Sequence, residues 1–203
     1  MLMLPLCAAL SPALIQIDEK LSGFMDERVL RVGFIHYSLM KLFSAFVTGT
    51  VIMGTAFAAH SILWNMIAVP CDPLTNDYLA IPFDESCIYA TWQPICYSLP
   101  IYLWMCAAIA FCGGVWAMIG VTCSLFVSDR LLAVSMPFCL YYLWHSGLPS
   151  VITGIWGLPH PADLFNDALT TDTAVSSFVI YCVIAFVCFF LHNCVLRRIY
   201  AKK

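Results

Sequence analysis

Residues 111–130 read FCGGVWAMIGVTCSLFVSDR, an apolar, small-residue run that stops abruptly at Asp129-Arg130. It closes an uncharged stretch that begins at Ser86, well beyond the ~20 residues a helix needs to cross the hydrocarbon core of a bilayer. Gly113, Gly114, Ala117, Gly120 and Ser124 recur along it at spacings close to one helical turn. Small residues so placed let two helices approach backbone to backbone. The stretch therefore reads as a membrane-spanning helix built for close packing.

Uncharged runs also occupy Met1–Ile17, Leu42–Cys71, Leu131–Ala162 and Thr173–Leu196. The expected fold is all-α: one polytopic transmembrane domain over 1–203, with about five spans near 2–17, 42–69, 97–127, 131–146 and 173–196. Threading these alternately gives outer loops at 70–96 and 147–172. All nine Lys and Arg residues then share one side: Lys20, Arg28, Arg31, Lys41, Arg130, Arg197, Arg198, Lys202 and Lys203. The opposite loops carry Asp72, Asp77, Asp84, Glu85, Asp163, Asp167 and Asp172 and no base. By the positive-inside rule the basic side is cytoplasmic, which predicts a multi-pass protein of the cell membrane with its C-terminus inside.

Composition points the same way. With 62% hydrophobic and 10% charged residues, the chain lies far from the roughly one-quarter charged content of soluble domains. Its net charge of −3 is a sum of acidic outer loops and basic inner segments, and no basic cluster suits a nucleic acid. Of the eleven cysteines, eight fall in predicted spans as small apolar packing residues. Cys71, Cys87 and Cys96 lie in or beside the first outer loop, where an oxidising exterior permits one disulfide. The apolar stretch Val151–Trp156 in the second outer loop is read as re-entrant or interfacial rather than as a further span.

The spans carry little chemistry. No acidic or basic residue sits deep in any of them, and HExxH, GxSxG and GxxxxGK[ST] are all missing. No enzyme activity and no cofactor are expected, and any nucleotide-driven function requires another subunit. His60 and His145 are the histidines to test as a polar pathway, against the plainer reading of hydrogen-bonded packing. Gly49 and Gly54 stand in Ala45-xxx-Gly49 and Thr50-xxx-Gly54 patterns. With Gly113, Gly114 and Gly120 they are the candidate helix-packing positions.

Between the first two spans, Asp18–Arg31 mixes charge with Leu21, Phe24, Met25 and Val29 at helical spacing. It reads either as a short interfacial helix on the cytoplasmic face or as a solvated connector. Gly23 weakens a helix there.

The order of these features resembles the permease subunits of ABC-2-type transporters of Gram-positive bacteria. The likeness rests on Glu19-Lys20-Leu21-Ser22-Gly23-Phe24 followed by Arg28 and Arg31, on Tyr37-x-x-x-Lys41 opening a small-residue span, and on Asp129-Arg130 leading to Pro137-Phe138. It covers roughly residues 5–145 and the terminal span with its Arg197-Arg198 stop. The resemblance implies a six-span relative, so this chain is expected to lack or shorten a first helix. It implies partnership with a second permease, with membrane lipid around both, and with a cytoplasmic ATP-binding cassette subunit. Glu19, Gly23, Glu27, Arg28 and Arg31 become the candidate ATPase-coupling residues. A non-transporting membrane scaffold or assembly factor is the reading from a different class.

The charge map predicts that an impermeant thiol reagent added to intact cells leaves a cysteine at Ser22 or Lys203 unmodified, in a background free of reactive cysteines. Labelling at either position would invert the orientation.

Overall fold

The apolar runs fold into helices because a chain without water around it can satisfy its backbone only within itself. The computed structural model describes residues 4–67, 99–127, 129–146 and 171–201. Among these it holds six helices and no strand: α1 (Leu4–Leu21), α2 (Phe24–Val32), α3 (Phe34–Ile67), α4 (Leu99–Phe126), α5 (Arg130–Ser146) and α6 (Thr171–Tyr200). The three cysteines Cys71, Cys87 and Cys96, the stretch Val151–Trp156 and both expected outer loops lie outside the described residues, apart from the loop's junction with α6 at Thr171-Asp172.

Three helices are long and apolar enough to cross a membrane: α3 over Phe34–His60, α4 over Cys106–Phe126 and α6 over Phe178–Tyr200. The described residues thus carry three full-length candidates against the expectation of about five. The difference lies in α1 and α5. The first has 18 residues and carries Asp18-Glu19-Lys20 in its last turn, and the second has 17 and starts on Arg130. Both are apolar helices laid against α4. The second span begins at Phe34 rather than Leu42, so Lys41 is a helical residue and not a flank. A lysine near a helix end keeps its stem on apolar surface and its ammonium at the boundary, which is why an uncharged-run criterion starts the helix late.

At the centre stands α4, packed against α1, α3, α5 and α6. Its span is 67% buried within the chain, against 22% for α3 and for α6. The outer faces of α3 and α6 leave Phe43, Val47, Val51, Phe186 and Phe190 exposed. That much unbroken apolar surface suits hydrocarbon rather than water.

Glycines set the spacing around α4. A Cβ on Gly49 would lie 2.5 Å from the Gly113 carbonyl oxygen and 2.6 Å from Ala117 Cβ, and one on Gly114 would lie 2.5 Å from Thr50 Oγ1 and 2.6 Å from the Phe46 ring. On Gly54 the nearest atom would be Ala110 Cβ at 3.1 Å. These four glycines therefore lie between α3 and α4. Gly120 faces α1 instead, where a Cβ would meet that of Ala9 at 2.6 Å. Between helices in lipid the driving force is contact rather than water exclusion, so lost backbone proximity is lost directly.

Gly49→Ala must push α3 off the Gly113 backbone, whereas Gly54→Ala needs a shift of a few tenths of an ångström at a side chain. Thermal unfolding in detergent should show Gly49→Ala destabilised by about 1–3 kcal/mol and Gly54→Ala by clearly less. Equal losses would mean that the two helices are not held at this separation.

Candidate functional site

The chain concentrates its polar chemistry where α1 ends, α2 turns back, α3 begins, α4 ends, α5 begins and α6 ends. Contacts among the described residues bring all six of these termini together.

Glu19, on the last turn of α1, has a side chain only 14% exposed. Lys41 Nζ approaches its Oε2 at 2.7 Å, and that ammonium is itself only 13% exposed. The Tyr37 hydroxyl donates to the same oxygen at 3.2 Å and accepts from Gln16 Nε2 at 3.3 Å. Arg28 on α2 stands 3.7 Å from Oε1. Tyr37 and Lys41 are one helical turn apart and share a face of α3, so the Tyr-x-x-x-Lys spacing delivers a hydroxyl and an ammonium to one carboxylate. Breaking such a half-dry pair leaves a charge with nowhere to go.

Its neighbours hold the α4–α5 corner. Lys20 Nζ donates to the carbonyl oxygens of Leu125 at 2.9 Å and Val127 at 3.0 Å. Carbonyls at a helix C-terminus lack partners within the helix and attract cations. Burial draws the Lys20 ammonium below the usual lysine range, and the two carbonyls offset that desolvation. Asp18 pairs with Arg130 at 2.7 Å. Asp129 accepts from the Leu131 amide at 2.7 Å and caps α5.

Glycines bracket α2. Gly23 has φ 74° and Gly33 has φ 86°, a backbone region that side-chain-bearing residues rarely enter. Between them the helix buries Met25 and Val29 against Tyr37, Leu125 and Leu196. Tyr200, near the end of α6, hydrogen-bonds through its hydroxyl to Asp26 and packs edge-on against Phe34 at 5.4 Å. Glu27 and Arg31 face outward and pair with one another one turn apart. Arg28 also lies over the Phe24 ring, 4.4 Å from its centroid.

One candidate segment thus resolves into two pieces. Asp18, Glu19 and Lys20 belong to α1 and grip the membrane helices, while Phe24–Val32 is the separate short helix. Of the candidate coupling residues, Glu19 is turned inward, Gly23 makes the corner, Arg28 reaches back towards Glu19, and Glu27 and Arg31 face out. Glu19, Gly23 and Glu27 also line one shallow depression of about 590 Å³ at the α1–α2 elbow, together with Phe24 and Ser22.

The sequence reading passed over His192 and Gln16. His192 is fully buried on α6, its Nδ1 3.1 Å from Ser38 Oγ and its ring stacked on Tyr37 at 6.4 Å. Its only sequence signal is a polar residue inside a charge-free run close to the basic end. His60 lies on an exposed face of α3, and the side chain of His145 lies outside the described residues. Among the described residues, no group of three or more His, Cys, Asp or Glu is placed to hold a metal ion. The cluster holds helix ends together. No protein-family model, curated protein or solved structure matches the chain.

Glu19→Gln and Lys41→Met should each cost about 3 kcal/mol in thermal unfolding, because each strands a partner, and the double variant should recover most of the loss. Additive losses would show that the two groups do not depend on one another.

Proposed function

We propose that the chain is the permease subunit of an ABC-2-type transporter, moving a substrate with ATP hydrolysed by a separate cytoplasmic subunit and working beside a second permease. The observation that carries this reading is the construction of α2. It is a nine-residue amphipathic helix, jointed at both ends by glycine and open to a partner on the Glu27–Arg31 face. Its other face is tied to α1 through Arg28 and to α6 through Asp26.

A push on such an element reaches the membrane helices through fixed contacts, as a rigid lever between jointed ends. Arg28 leads to Glu19, Glu19 to Lys41 and Tyr37, and those to α3. The α1–α2 elbow supplies a depression into which a partner's side chain can seat. With the basic end cytoplasmic, α2 lies where a soluble ATPase would meet it. The tight glycine contacts around α4 let helices slide or rock without opening large voids.

The charge swap Glu27→Arg with Arg31→Glu keeps the pair within α2 and reverses the positions of its two outward charges. It should release the ATPase, or abolish substrate-stimulated hydrolysis, with membrane insertion and expression unchanged. Because exposed pairs are individually weak, about 0–1 kcal/mol, single substitutions should be nearly silent. Wild-type co-purification and hydrolysis in the swapped chain would remove the coupling role and leave the scaffold reading.

A further inference from the structure

α5 and α6 both pack on α4 far more than on one another among the described residues. Between them runs a groove of about 350 Å³. Trp116, Ile119 and Cys123 of α4 form its floor, Leu140 of α5 one wall, and Ile184 and Leu191 of α6 the other. The groove lies within the membrane-depth parts of α4 and α6, so hydrocarbon is its solvent.

Its lining suits the occupant. From Trp116 to Phe126 the floor runs about 15 Å, and the side chains along it and on both walls are almost all apolar. An apolar groove of that length fits an acyl chain lying along α4.

Charge at the basic end selects the headgroup. On α6 the groove stripe runs Ile180, Ile184, Leu191, and eighteen residues make five helical turns. Arg198 therefore falls on the line of Ile180, about 10 Å beyond Leu191 towards the basic end. It is exposed. Arg28, Arg31 and Arg130 each face a carboxylate, on Glu19, Glu27 and Asp18 respectively, whereas Arg198 makes no ion pair with a described residue. Arg197 is turned about 100° off the line.

We propose that this groove binds one anionic phospholipid, with an acyl chain along α4 between α5 and α6 and the phosphate on Arg198. A guanidinium meets two phosphate oxygens at once, which favours a phosphate monoanion over a zwitterionic headgroup whose own cation competes. The site is independent of any ATPase partner, so it stands or falls separately from the coupling role.

The test uses the full chain in nanodiscs of equimolar phosphatidylglycerol and phosphatidylcholine, with lipid retained on extraction read by native mass spectrometry. The expected result is one phosphatidylglycerol per chain, retained over phosphatidylcholine by about tenfold. Arg198→Gln should bring the two lipids to within about twofold of parity, and Arg197→Gln should leave the preference as in wild type. Ile184→Trp should fill the groove and remove both lipids. Should that variant misfold, the surface substitution Arg198→Gln decides alone. Equal retention of both lipids by the wild type, an undiminished preference in Arg198→Gln, or a lipid-free dimer that Ile184→Trp dissociates would each overturn the proposal.

Discussion

A carboxylate shut away from bulk water has to be neutralised where it sits, and the basic end of this bundle is organised around that constraint at Glu19. The group is too enclosed for water to solvate fully, so it draws in Lys41 and the Tyr37 hydroxyl from α3 and sets Arg28 of α2 within reach. Each partner fixes an element. Lys41 and Tyr37 set the rotation of α3, Arg28 folds α2 back beneath α1, and Gln16 extends the network one turn up α1. Neighbouring Lys20 and Asp18 fix the α4–α5 corner in turn. Three consecutive residues at the end of one helix thereby register four others.

The glycine contacts within the membrane solve a different problem. Hydrocarbon offers no hydrophobic drive for helix association, so α3, α1 and α4 must gain contact by proximity, and Gly49, Gly113, Gly114 and Gly120 allow it. Charge fixes register at one end while small side chains give closeness along the length. A bundle held in this way can transmit motion from its basic end without depending on directional bonds deeper in the membrane.

Much of this was legible in the sequence because its strongest signals are unbranched rules. Uncharged runs gave helices, small-residue spacing named the glycines that the structure puts between α3, α1 and α4, and base counting put Lys20, Lys41, Arg130 and Arg197 at one end. What could not be read was pairing. Glu19 and Lys41 are separated by a helix and two turns, and Lys20 meets backbone carbonyls more than a hundred residues away; neither relation leaves a pattern in local spacing. The end of α1 was misplaced for the same reason. A charged triplet reads as a flank until its partners are known, and only those partners keep Asp18-Glu19-Lys20 helical. His192 was passed over because a lone histidine in an apolar run has no periodicity to betray it.

The central claim is that α2 is clamped to the membrane helices at both the α1 and the α6 side. Cysteines in place of Asp26 and Tyr200, in a chain otherwise free of cysteine and carrying a protease site after residue 160, test it in native membranes with a short bis-maleimide. The two fragments should stay joined after proteolysis. Separate fragments, with both thiols still reactive to a monofunctional maleimide, would contradict it.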